Sequence, residues 1–119
     1  MEKGAEIYKN LIDELVKMSR SCADARAVKK GRVPGIDAEK MGINEVLNRL
    51  DENERDILSK FIVEAYHAGI YDTLEQLEWL RCCKNMVITV EGETLPLGKY
   101  EGIPNDYIGR RYGWEWSDD

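Results

Sequence analysis

From Ala5 to Cys22 the apolar residues Tyr8, Leu11, Leu15, Met18 and Cys22 recur at steps of three and four, with Ile12 and Val16 widening the stripe. That period makes one side of a helix apolar and predicts an amphipathic helix. Ser21 followed by Asp24 resembles a capping box, so a second helix is expected through Lys30 unless the first continues; Gly31 and Pro34-Gly35 end it either way. A loop is expected to about Gly42. Ile43, Val46, Leu47 and Leu50 mark a short third helix, and Asp51 with Glu54 marks the start of a fourth, whose expected buried face is Ile57, Leu58, Phe61, Ile62 and Ala65. Gly69 stands where a left-handed residue closes a helix, Ile70 can make the accompanying apolar contact, and Asp72 with Glu75 caps the next. That fifth helix turns Leu74, Leu77 and Leu80 inward and ends near Lys84.

The period then changes. Met86-Val87-Ile88-Thr89-Val90 is short and β-branched, Glu91-Gly92-Glu93 supplies a turn, and Thr94-Leu95-Pro96-Leu97 returns as an edge strand, the position a proline tolerates. An isolated two-stranded hairpin is marginal, so 86–97 must lean on the helices. After Pro104, residues 105–112 are expected to form one or two helical turns. The predicted fold is mainly α: about five helices over 5–84, a small two-stranded antiparallel hairpin, and an aromatic C-terminal segment over 99–119 packed on the body. A length of 119 residues suits one domain, 1–119, large enough to bury a core without disulfides or metals.

The segment from Lys99 to Asp119 departs most from its surroundings, holding five of the chain's ten aromatic side chains among glycines and two arginines. Large rings at a chain end must bury against the body, a partner or a ligand. Tyr107, Arg110, Arg111, Tyr112, Trp114 and Trp116 are therefore the candidate interaction or ligand surface. The body is the first of those three burial sites to expect, with Trp114 deeper than Trp116: Gly113 lets the chain bend inward, whereas Trp116 precedes the polar run Ser117-Asp118-Asp119.

Charge narrows the classes of partner. The net charge is −6, distributed as +3 over residues 1–35, −7 over 36–98 and −2 over 99–119. An acidic middle repels phosphate backbones and favours basic protein partners, so nucleic acid is not expected. The longest near-continuous apolar run, Met86 to Val90, falls far short of the ~20 residues of a membrane span, and Met1-Glu2-Lys3-Gly4 leads straight into helix without a targeting signal. Three cysteines, two of them adjacent, fit a reducing cytoplasm better than a disulfide framework.

Candidate chemistry is sparse. His67 is the sole histidine, so any Ser–His or Cys–His pair must use it; in the last turn of the expected fourth helix it suits the helix dipole. Cys82 and Cys83 point about 100° apart on a helix and belong to no Cys-x-x-Cys spacing, so no metal site or cofactor is expected. One should fill the core behind Leu80 and the other remain a partly exposed thiol. Lys29-Lys30-Gly31-Arg32 reads as cations at a helix end before a glycine cap, with a phosphate or an acidic partner as the other reading. Glu52, Glu54, Asp56, Glu75 and Glu78 fall at caps and outward positions and read as a solvated face. Dinucleotide-binding, Walker A, nucleophile-elbow and His-Glu-x-x-His patterns are absent from the sequence.

Ala65-Tyr-His-Ala-Gly-Ile-Tyr-Asp-Thr-Leu74, Glu93-Thr-Leu-Pro96, Asp106-Tyr-Ile-Gly-Arg110 and Gly113-Trp-Glu-Trp116 together make the chain resemble a family of small bacterial domains of unknown function. The resemblance covers about residues 44–116. It implies a bacterial origin and a helical body with a hairpin, and it transfers no catalytic residue.

Two functional classes stay open. The first is a non-catalytic cytoplasmic protein-interaction module, an adaptor or immunity-type binder whose acidic middle meets a basic partner; an uncovered edge at Met86–Val90 would also let it pair with its copy as a homodimer. The second is an enzyme or small-ligand binder with a pocket between the hairpin and the C-terminal segment, where Tyr107, Arg110 and Trp114 hold an anionic or aromatic ligand.

Overall fold

A computed structural model describes residues 2–117. The element order is α1 (Lys3–Met18), α2 (Ala23–Lys30), α3 (Ala38–Arg49), α4 (Glu52–Lys84), β1 (Thr89–Val90), β2 (Glu93–Thr94) and α5 (Ile103–Arg111). The fold is mainly α with a two-stranded antiparallel hairpin and an aromatic C-terminal segment whose Tyr107 and Trp116 lie in the core. Among the described residues four helices rather than five precede the hairpin, because α4 runs unbroken through Gly69 for 33 residues. Continuing the helix keeps every backbone hydrogen bond and sets Ile70, Leu74 and Leu77 against one core at steps of four and three. That outweighs the roughly 1 kcal/mol a mid-helix glycine costs. Asp72 and Glu75 are accordingly helix-interior residues rather than caps.

The chain forms two compact units. The terminal unit comprises residues 2–18 and 68–117; the middle unit comprises 19–67.

The core of the terminal unit is Tyr8, Ile12 and Val16 from α1, Leu74 from α4, Leu95 and Leu97 beyond β2, Ile103 and Tyr107 from α5, and Trp116. The buried line of α1 thus follows steps of four along Tyr8, Ile12 and Val16, while Leu11 and Met18 of the expected stripe stay exposed. Close approach is built in at Gly4, where a Cβ would sit 2.5 Å from the Thr94 carbonyl oxygen. In the hairpin Thr89 pairs with Thr94 and Val90 with Glu93. Glu91 and Gly92, both at positive φ, make the tight turn whose twist suits two antiparallel strands. The ladder is shorter than the expected 86–97; beyond it, the Leu95 N–H still donates to the Ile88 carbonyl at 2.9 Å.

The middle unit buries Val28, Val33 and Leu47, against which Ala27, Ile43, Leu50, Leu58 and Ile62 pack. Gly31 closes α2 in the left-handed region, as expected from its position, donating to the Ala27 and Val28 carbonyls. The Ser21–Asp24 box does not form: Cys22 is the N-cap residue without a side-chain bond, and Ser21 accepts from the Arg26 guanidinium at 2.7 Å. The loop expected to Gly42 is shorter, because Asp37 caps α3 by accepting the Lys40 N–H at 2.9 Å. Asp51 and Glu54 do form a reciprocal box, at 2.9 and 2.8 Å. Asn44 clamps the intervening loop by accepting the Val33 N–H at 2.8 Å and donating to the Val33 carbonyl at 3.0 Å.

Candidate functional site

The aromatic residues proposed from sequence divide by depth. Tyr107 and Trp116 are buried, Arg110, Arg111 and Trp114 are half-buried, and Tyr112 is exposed. The order of the tryptophans is the reverse of that expected, since Trp116, at 4% exposure, lies deeper than Trp114. The reason is a set of partners that adjacent residues do not announce. Trp116 packs against Tyr100 at 4.8 Å, Trp114 at 5.2 Å and Tyr8 at 6.0 Å between ring centroids, with the Lys9 ammonium 5.8 Å from its centroid.

Arg110 fastens that end of the chain. Its Nε donates to Asp13 Oδ1 at 2.7 Å, its Nη2 to Asp13 Oδ2 at 3.1 Å and its Nη1 to the Trp114 carbonyl at 2.7 Å. The guanidinium also lies 5.3 Å from the Trp116 ring centroid. A planar fork that engages both carboxylate oxygens is committed to α1, so Arg110 is a structural staple for residues 114–116.

Beneath it lies a polar network that sequence reading missed. The Tyr8 hydroxyl donates to Asp106 Oδ2 at 2.5 Å, and the Glu101 N–H donates to Asp106 Oδ1 at 2.9 Å. Burial pushes the Asp106 carboxyl above its usual range, against the pull of those two donors. The Tyr8 phenol is driven far above its ordinary value, first by burial and then by the hydrogen bond to Asp106. Glu78, expected on a solvated face, instead accepts the Ile103 N–H at 2.8 Å and pairs with Arg81. It caps α5 from α4, because the N-cap residue Gly102 has no side chain to do so. A Cβ at Gly102 would collide with the Glu78 carboxylate. The signal in the sequence was a helix start at Gly102-Ile103-Pro104 with no capping side chain of its own. Both Tyr8 and Asp106 are completely buried, so the pair organises the fold rather than facing a ligand.

The other candidates lie apart from this network. His67 stands mid-helix in the continuous α4, not in a last turn, so the dipole argument for it lapses. Cys82 and Cys83 are both exposed; with α4 packed through Ile70, Leu74 and Leu77, neither reaches the core. Among the described residues no group of three or more His, Cys, Asp or Glu side chains is arranged to hold a metal ion. Lys29 and Lys60 flank Asp56 at 3.7 and 3.0 Å, and the Lys60 hydrogen bond holds that carboxyl below its ordinary range.

An apolar concavity lies in the middle unit. A groove of about 410 Å³ is walled by Asp24 and Val28 of α2, Lys40, Ile43, Val46 and Leu47 of α3, and Leu58 and Ile62 of α4. Its lining is mainly apolar. Of the face expected to be buried on α4, Leu58 and Ile62 are half-buried, Ala65 is exposed, and Ile57 and Phe61 are 60% and 70% exposed. A unit of 49 residues has too little interior to cover so many apolar side chains. The sequence carried this signal as a surplus of apolar positions over 43–65.

The chain belongs to a family of unknown function, DUF6547, whose family model matches residues 1–118. The match takes in the N-terminal third, which the quoted motifs left out. No curated protein and no solved structure matches the chain. Among the described residues no helix is long and apolar enough to cross a membrane.

Proposed function

We propose that this protein is a non-catalytic protein-interaction module of a bacterial cytoplasm, an adaptor or immunity-type binder, and that it binds through the groove between α2, α3 and α4. The observation that carries the reading is that groove, about 410 Å³ and apolar, with Ile57 and Phe61 exposed on the α4 surface beside its wall. Exposed apolar area beside a concave apolar lining is the usual chemistry of a protein contact. Three cysteines that remain free thiols favour a reducing compartment.

Charge qualifies the partner. The middle unit has nine Lys or Arg and nine Asp or Glu, whereas the rest of the sequence, 1–18 and 68–119, has eight against fourteen, so the chain's whole surplus of −6 falls outside the middle unit. Binding at the groove is therefore driven by apolar burial and depends weakly on salt, while any basic partner is drawn by the terminal unit. The test is affinity capture with the parent chain and with Val46→Asp, which puts a charge on the groove wall. Loss of specifically retained proteins supports the reading; an unchanged set overturns it.

A further inference from the structure

The groove's occupant can be argued from its own surroundings. A two-fold contact uses one patch twice, so the patch must hold both what projects and what receives. On α4 the residues Ile57, Leu58, Phe61 and Ile62 fall within about 140° of helix surface. Leu58 and Ile62 form part of the groove wall, while Ile57 and Phe61 project beside them into solvent. Hole and knob therefore share one helix face.

The charges are self-complementary as well. The groove wall has two charged residues, an acid from α2 (Asp24) and a base from α3 (Lys40). Among the described residues neither side chain is seen in an ion pair. A two-fold axis that exchanges the walls sets the Asp24 of each copy against the Lys40 of the other. With equal numbers of acids and bases, the middle unit adds no net repulsion between two copies, unlike the acidic terminal unit.

We propose that the groove is a homodimer interface, in which Phe61 of each copy enters the groove of the other. The proposal rests on the reading of the groove as a binding surface, and it differs from pairing through the hairpin edge because the hairpin takes no part.

The test is molar mass by light scattering over a range of micromolar concentrations, with helical dichroism checked for every variant. The parent is expected to rise from 13.7 kDa toward twice that mass. Phe61→Glu, at an exposed position that the fold tolerates, is expected to stay monomeric. Asp24→Lys and Lys40→Asp should each weaken association several-fold by setting like charges together, and the double variant Asp24→Lys/Lys40→Asp should restore it. A parent that stays monomeric throughout overturns the dimer, as does a dimer indifferent to Phe61→Glu; single charge variants that the double variant fails to rescue overturn the two-fold pairing. A monomeric parent whose captured proteins are lost in Val46→Asp leaves the groove reading standing and ends the dimer, whereas a monomeric parent with unaltered capture ends both.

Discussion

The terminal unit closes its core with the end of the chain, and the middle unit leaves its core partly open. In the terminal unit a cluster of nine buried apolar residues, a two-oxygen arginine–carboxylate pair and a buried tyrosine–aspartate bond converge from α1, α4, α5 and the segments that follow β2 and α5. In the middle unit a cluster of three buried apolar residues stands beside a groove and several exposed ones. The difference teaches that apolar periodicity marks which face of a helix is suited to burial, while the amount of neighbouring chain decides how much of it is buried. The unit with surplus apolar surface is also the one without surplus charge.

The strongest challenge to this comparison is Trp116→Ala. It removes a buried ring from the terminal core and is expected to cost about 3–5 kcal/mol in denaturant unfolding, with Trp114→Ala costing distinctly less. Equal costs would remove the asymmetry in the aromatic cluster.

Tyr8→Phe is expected next in size, at about 1–3 kcal/mol, because it leaves a buried carboxyl short of a donor. It also carries a pH signature. Tyr8 and Asp106 both have raised values in the folded chain, so both favour their protonated forms there. The Asp106 contribution is complete below the ordinary aspartate value of about 4 and is lost as pH rises through the elevated folded value. That of Tyr8 is complete below about 10 and declines as pH climbs further. Unfolding midpoints measured across the alkaline range should fall for the parent and fall less for Tyr8→Phe; parallel curves would refute the assignment.

Local stability sharpens the contrast between the units. Amides of α2 and α3, around the smaller core, are expected to exchange with deuterium faster than those of α1 and α5. Uniform protection would mean that the two cores open together. The smallest expected effect is that of Phe61→Ala, within about 0.5 kcal/mol of the parent in the monomer, because the ring is 70% exposed. A core-sized loss there would show that Phe61 is structural and that the groove is less open than its wall implies.

Much of the local structure was legible along the chain. The Asp51–Glu54 box, the left-handed closure at Gly31 and the tight turn at Glu91-Gly92 each follow from a few adjacent residues whose hydrogen bonds and dihedrals are local. Gly69 misleads for the same reason: its neighbours suit a helix end, and only the packing of Ile70, Leu74 and Leu77 makes continuation the better solution. Of the candidate surface, the sequence located the aromatic segment but not its depth. The periodicity of the groove residues predicts helices and holds no sign of which positions remain uncovered.

The sequence by itself determined a mainly helical chain with a short hairpin and an aromatic C-terminal segment, and the family to which it belongs. Tertiary structure alone decided that Asp13 holds Arg110, that Glu78 caps α5, that Trp116 lies deeper than Trp114 and that the acidic surplus falls in one unit. Capping and periodicity act over a few residues and leave their mark in adjacent positions. The Asp13–Arg110 and Tyr8–Asp106 bonds join residues nearly a hundred positions apart, and such partners become visible only when folding brings them within hydrogen-bond reach.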